Sequence, residues 1–209
     1  MATKIEIEIK LPVRDLPALL RRLRKIGARN RGRVFEENTL YDTPAADFRR
    51  YGRLIRLRIE TSKSGHRDAK LTSKAPPPHN RAKGRATRSA ALHKERLENE
   101  ANVRDPARAA RLLRAIGLRP SFRYEKFRTS FRLGALHLDL DETPVGTFLE
   151  LEGPPAPIDR TARALGYSTR DYIRGTYWDV YAADCRRRGR KPKNMLFAHK
   201  KRSKHALFA

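Results

Sequence analysis

The chain holds a single cysteine, Cys185. An intrachain disulfide is therefore excluded, and a reducing cytoplasm is the simplest compartment. No apolar stretch reaches membrane-spanning length, and the opening MATKIEIEIK lacks the apolar centre of a signal peptide, so a soluble chain outside any membrane is expected. Several catalytic signatures are missing. There is no phosphate-cradling glycine loop followed by Lys-Ser/Thr, no HExxH, no cysteine pair and no G-x-S-x-G, which leaves those nucleotide, zinc and serine chemistries without support. The six histidines are scattered; His66 and His79 fall in expected loops, and His199 and His205 near the C-terminus. Acidic residues are few, with 23 Asp and Glu against 48 Lys and Arg, and the formal net charge of +25 favours polyanionic partners without choosing among nucleotides, polyphosphates, nucleic acid and anionic membranes.

What is present fits one domain and an appendage. The 209 residues, 39% hydrophobic and 34% charged, are enough for one core under a densely ionic surface. We place the domain at residues 1–184. Residues 185–209 carry ten Lys or Arg and no acid; without helical or strand periodicity, this segment reads as a disordered basic tail suited to nonspecific polyanion contact. Alternation of apolar and charged residues marks a strand from Ile5 to Leu11. Further strands are expected at Val34–Tyr41, Arg53–Glu60, Ala69–Lys74, Arg96–Val103, Tyr124–Leu133, Ala135–Asp141 and Thr147–Glu152. Helices are expected at Leu16–Ile26, Pro106–Ile116 and Arg170–Cys185, the first two closed by Gly27 and Gly117. The basic, proline-rich stretch Ala75–Lys94 reads as a long loop and candidate lid.

An internal similarity organises these elements. Glu6-Ile-Glu8, Arg14-Asp15 and a basic amphipathic helix ending at Ile26-Gly27 resemble Glu98-Asn-Glu100, Arg104-Asp105 and a helix ending at Ile116-Gly117. Two strand–helix–strand halves could share a core by closing into an antiparallel β-barrel, which removes exposed sheet edges.

Side chains two apart in a strand share a face. Glu6, Glu8 and Lys10 therefore lie opposite Ile5, Ile7 and Ile9. Arg56 and Arg58 oppose Ile55, Leu57 and Ile59; Lys126, Arg128 and Arg132 oppose Phe127 and Phe131. Lys70, Thr72 and Lys74 share a face, as do Glu98 and Glu100, Asp139 and Asp141, and Glu150 and Glu152. Taken strand by strand, these are solvated faces. Taken together, acid pairs alternate with basic pairs, and helices are available to cover the apolar side, so the charged faces can line a barrel interior. Enclosed charges must be paired or coordinated. Carboxylate clusters suit hard cations such as Mg²⁺ or Mn²⁺, and Arg and Lys suit phosphate oxygens.

The ordered series Glu6-x-Glu8-x-Lys10, Leu40-Tyr-Asp-Thr43, Leu54-x-Arg56-x-Arg58, Leu71-Thr-Ser-Lys74, Glu98-x-Glu100, Lys126-x-Arg128-Thr129, Leu140-Asp-Glu142 and Gly146-x-Phe-x-Glu150-x-Glu152-Gly153 resembles the CYTH, or triphosphate tunnel metalloenzyme, superfamily. The close of the domain looks most like its class IV adenylate cyclase-like branch. The resemblance runs from about Thr3 to Tyr181 and implies an α+β fold: a closed antiparallel β-tunnel with helices outside. It implies that Lys10, Arg56, Arg58, Lys74 and Arg128 grip a triphosphate. Glu6, Glu8, Glu150 and Glu152 would hold Mg²⁺ or Mn²⁺, assisted by Asp141 and by Glu98 or Glu100. Glu6, Glu8 or Glu100 would orient an attacking water, so Glu6, Glu8, Lys10 and Glu100 are the catalytic candidates. Asn102 stands where the second half would match Lys10, so the halves are not equivalent. Three functions remain open: hydrolysis of an inorganic or organic triphosphate, cyclisation of ATP to cyclic AMP, and non-catalytic binding of polyphosphate or nucleic acid. The assembly, monomer or homodimer, is also open.

Overall fold

A computed structural model describes residues 4–77 and 92–198. Apart from its ends, the candidate lid at Ala75–Lys94 lies outside the described residues. In chain order the elements are β1 (Lys4–Val13), α1 (Leu16–Lys25), β2 (Arg29–Asp42), the short α2 (Asp47–Arg50), β3 (Leu54–Ser62), β4 (Arg67–Ala75), β5 (Lys94–Asn102), α3 (Pro106–Ala115), β6 (Arg119–Leu133), β7 (Leu136–Thr143), β8 (Gly146–Glu152), α4 (Pro155–Ala164) and α5 (Tyr177–Arg187). The strands close into an antiparallel barrel in the order β1-β5-β4-β3-β2-β6-β7-β8. This is the expected α+β architecture.

The order carries the internal repeat. Exchanging β1 with β5, β2 with β6, β3 with β7 and β4 with β8 returns the same closed ring read backwards. The loops repeat too. The Asp15 side chain accepts from the Ala18 N–H at 2.9 Å and caps α1; the Asp105 side chain accepts from the Arg108 N–H at 2.8 Å and caps α3. Each helix places a proline in its first turn, where no hydrogen bond is lost. Gly27 at φ 80° and Gly117 at φ 90° then turn the chain into the left-handed region that favours glycine.

The apolar strand faces point outward, under helices. Ile9 and Leu11 of β1, Leu138 and Leu140 of β7, and Leu149 and Leu151 of β8 pack with Leu19 and Leu23 of α1 and Ile158 and Ala162 of α4. Across the barrel, Tyr41, Leu57 and Leu118 pack with Leu113 of α3. Burying such side chains stabilises the fold by roughly 1.5–3 kcal/mol each. The charged faces are thereby turned inward.

Three sequence expectations change. Helix α4 falls in a stretch where no element is expected from the sequence; Pro155 and Pro157 sit in its first turn, and Ile158, Thr161 and Ala162 give it a buried face. The last helix starts at Tyr177 rather than Arg170. Residues Thr169–Asp171 form a single 3₁₀ turn, and Ile173 pairs with Lys10 of β1. The tail expected to lack structure from Cys185 is instead folded well past it: Cys185 is buried inside α5, and Met195 is only 1% exposed. β7 pairs with β6 only from Phe127 onward. Beside the uncovered part of β6, the Met195 N–H donates to the Arg123 carbonyl at 2.9 Å and the Glu125 N–H to the Met195 carbonyl at 3.0 Å. An apolar anchor, an open strand edge and side-chain contacts at Asn194 and Phe197 hold a segment that otherwise reads as basic coil. Residues 199–209 lie outside the described residues.

Candidate active site: a charged tunnel

The inward strand faces enclose a cavity of about 1350 Å³. Among the described residues, its lining includes fifteen Lys and Arg against ten Asp and Glu, an excess that suits a polyanion. The expected parity holds. Glu6, Glu8 and Lys10 line the cavity from β1, Arg56 and Arg58 from β3, Lys74 from β4, Glu98 and Glu100 from β5, Arg128 from β6, and Glu150 and Glu152 from β8. Asp141 is fully buried in the wall behind them.

Ion pairs divide these groups into clusters. Lys10 meets Glu150 at 2.5 Å. Arg128 forks across Asp139 at 2.7 Å, Asp141 at 2.6 Å and Glu150 at 2.5 Å. Lys126 joins this cluster through Asp141 at 2.8 Å. Glu36, wholly buried, lies 3.1 Å from Arg58 and 3.4 Å from both Lys126 and Arg128. On the opposite wall Lys74 holds Glu6 at 2.5 Å and Glu98 at 3.4 Å, and Lys94 holds Glu8 at 2.6 Å. Glu100 stands apart with Lys70 at 3.5 Å and accepts from the Thr72 hydroxyl at 3.1 Å. Glu152 is held by Lys4 at 2.5 Å.

These surroundings split the carboxylates. Burial, reinforced by Glu8 and Glu98, raises the Glu6 carboxyl to about 7 despite Lys74. Burial also works against ionised Glu8, but Lys94, Lys10 and Lys74 outweigh it and bring that group down to about 2. For Asp139 the same contest ends at about 2, with Arg128 prevailing. Glu36 is likewise lowered, as Arg58, Lys126 and Arg128 overcome its burial.

Among the described guanidiniums outside this pairing, two hold buried donors without a hydrogen-bond partner. Arg56, 9% exposed, makes only long contacts, to the Tyr124 hydroxyl at 3.5 Å and the Thr72 hydroxyl at 3.4 Å, and its Nε has no partner. Arg96 on β5 lines the cavity, and its buried Nε and Nη2 have no hydrogen-bond partner among the described residues; burial lowers its pKa, against the pull of Glu6 and Glu8. Such donors are costly to leave unmade, and both face the cavity.

The donor set fits a hard divalent cation in its chemistry. Glu8 lies directly opposite Glu152 across the β1–β8 pair, Glu150 faces Lys10 two pairs further on, and the three carboxylates offer oxygen. Among the described residues no three acidic, histidine or cysteine side chains converge at ligand spacing, because each carboxylate is drawn to a lysine or arginine.

Several tunnel residues were not singled out from the sequence. Glu36 and Asn38 escaped notice because Glu37 breaks the alternation of β2. Lys126 and Asp139 were placed on charged faces but given no role, and Lys94 and Arg96 were readable by the same parity rule. Tyr177, in the expected last helix, donates its hydroxyl to Asp141 at 2.5 Å and lines the cavity; nothing in the sequence signalled that.

The CYTH domain family matches residues 4–177. The chain belongs to this family. Among solved structures, the CYTH barrel here is similar to a Vibrio parahaemolyticus protein named as a candidate adenylate cyclase, at 19% identity, TM-score 0.69, over 86% of this chain and 98% of that one. It is also similar to a Pyrococcus horikoshii protein at 21% identity, TM-score 0.68, over 86% and 99%. A third is a Hippeastrum protein named as a candidate adenylyl cyclase and described as having a dominant triphosphatase activity, at 17% identity, TM-score 0.54, over 90% and 97%. At these identities the likeness carries the fold. No functionally curated protein matches the sequence.

Proposed function

We propose that this CYTH protein is a divalent-metal-dependent enzyme that hydrolyses a triphosphate. The observation that carries the reading is the pair Arg56 and Arg96, which line the tunnel and hold buried donors, Arg56 Nε and Arg96 Nε and Nη2, that have no hydrogen-bond partner among the described residues. A triphosphate brings the many acceptor oxygens they lack, and Arg takes two oxygens of one phosphate at once. Lys10, Arg58, Lys74 and Arg128 complete the clamp, each exchanging part of its carboxylate pairing for phosphate. Glu6, Glu8, Glu150 and Glu152 are the groups that would hold Mg²⁺ or Mn²⁺, which supplies charge neutralisation at the phosphate oxygens. Glu6, Glu8 or Glu100 orients the attacking water. Asp141, locked between Lys126, Arg128 and Tyr177, acts as an anchor for the clamp.

Cyclisation of ATP is the second reading, and it draws on Phe122 and Trp178, apolar rings that line the cavity. It ranks second because those rings are engaged: they meet edge to face at 5.0 Å, and the Arg49 guanidinium lies 5.1 Å over Trp178. The test is a panel of tripolyphosphate, ATP and thiamine triphosphate with Mg²⁺ or Mn²⁺. Metal-dependent phosphate release without cyclic AMP supports hydrolysis, cyclic AMP from ATP replaces it with cyclisation, and no turnover of any member overturns both.

A further inference from the structure

Tyr177 is the first residue of α5 and the point where that helix enters the tunnel. Its ring lies under two ammonium groups: Lys10 Nζ is 4.4 Å from the ring centre and Lys126 Nζ 4.9 Å. Both lie within cation–π range, and the site is buried, where that attraction is strongest. Lys10 comes from β1 and Lys126 from β6, and their ion-pair acids differ, Glu150 for one and Asp141 and Glu36 for the other. The ring is thus the surface they share. Its hydroxyl meanwhile occupies Asp141 Oδ2 at 2.5 Å, the oxygen toward which Lys126 leans at 2.8 Å.

The ring is held in place from several sides. Tyr124 and Phe148 lie 5.7 and 6.0 Å from it, centre to centre. A capping box fixes the start of α5, with the Thr176 N–H donating to Asp179 at 2.7 Å and the Asp179 N–H to Thr176 at 3.3 Å. The C-terminal segment ties the helix down through the Tyr181 hydroxyl, which donates to the Asn194 carbonyl at 3.1 Å. That segment lies beyond the family match at residues 4–177.

We infer that Tyr177 is a positioning residue of the tunnel: its ring seats the ammonium groups of both Lys10 and Lys126 so that both present charge to one phosphate chain. The inference rests on the triphosphate reading above. It separates the ring from the hydroxyl. Tyr177→Phe keeps the seat and loses only one of the bonds to Asp141, which Lys126 and Arg128 still hold. Tyr177→Leu keeps bulk and apolarity but removes the seat.

Calorimetric titration with sodium tripolyphosphate in Mg²⁺ buffer is the binding test. Tyr177→Phe should bind within about threefold of wild type, and Tyr177→Leu about tenfold more weakly, a loss of about 1.4 kcal/mol. Equal affinity of Tyr177→Leu and wild type, or equal losses in both variants, would overturn the inference. A ligand-free readout runs beside it. The ε-methylene proton resonances of Lys10 and Lys126 should be shifted upfield by the ring in wild type and Tyr177→Phe, and return to ordinary positions in Tyr177→Leu. If wild type does not bind tripolyphosphate, the triphosphatase reading falls, and the resonances still decide whether the ring seats the lysines. Unshifted lysine signals in wild type would refute the seat. A melting temperature for each variant shows whether it remains folded.

Discussion

Replacing Glu36 by Gln should unmask the cost of crowding cations in this barrel. Glu36 is wholly buried and lies within 3.4 Å of Arg58, Lys126 and Arg128. Gln keeps the shape and removes the charge. Breaking a buried pair by removing one partner costs about 3–5 kcal/mol. The low end applies here, because Asp141 still holds Lys126 and Arg128, and Glu60 still holds Arg58. For a domain of this size a loss of about 3 kcal/mol lowers the melting temperature by roughly 6–12 °C. Acid sharpens the test. The neighbouring cations hold Glu36 below its ordinary value of 4.5. Its contribution is therefore present above that value and fades as the pH falls through the folded-state range, so the gap between wild type and Glu36→Gln should narrow below pH 4.5. Tripolyphosphate should restore part of the loss at pH 7, since the three cations gain phosphate oxygens and binding stabilises the native state. Thermal melts monitored by circular dichroism at several pH values suffice. Equal melting temperatures at pH 7, or a gap that stays constant into acid, would refute the reasoning.

Other predictions address separate parts of the account. Glu8→Gln should abolish metal-dependent phosphate release while the barrel stays folded, and wild-type turnover in that variant would remove Glu8 from the metal set. Met195→Ala, at a position 1% exposed against β6, should cost about 2–5 kcal/mol in chemical denaturation; an unchanged midpoint would mean the C-terminal segment contributes nothing to the fold. Gly153→Ala should also destabilise: φ is 147°, and an added Cβ would come 2.6 Å from Leu136 Cδ2. A cost of about 1–3 kcal/mol is expected from the combined strain and overpacking, and a neutral result would show that the β8–α4 corner relaxes freely.

Much of the barrel could be read from period-two alternation, because each strand buries one face outside and presents the other inside. Ile5–Leu11 and Thr147–Glu152 are clean cases. The signal weakened where the outward face also carries a charge, as in β2, where Glu37 sits between the buried Glu36 and Asn38. It vanished where a rule of composition competes with local geometry. Pro155 and Pro157 look like a loop yet open α4, because the first turn of a helix needs no donor from them. Likewise the basic residues after Cys185 hide two apolar side chains, Met195 and Phe197, that help pin the segment. At the site, the parity rule located most of the tunnel wall, but it could not tell a paired cation from an unpaired one. That Arg56 and Arg96 lack carboxylate partners follows from how eight strands stagger around a ring, and no single strand records it. Tyr177 belongs to a helix, so strand parity had nothing to say of it.

The central claim is that unpartnered guanidiniums in an enclosed, net-cationic tunnel exist to hold a phosphate chain. Calorimetric titration of tripolyphosphate into wild type and Arg96→Ala tests it most directly. The account predicts salt-sensitive binding to wild type that weakens at least about tenfold, about 1.4 kcal/mol, in Arg96→Ala, with the melting temperature of the free protein unchanged or raised. Undiminished affinity in Arg96→Ala, or a wild-type protein indifferent to tripolyphosphate, would contradict it.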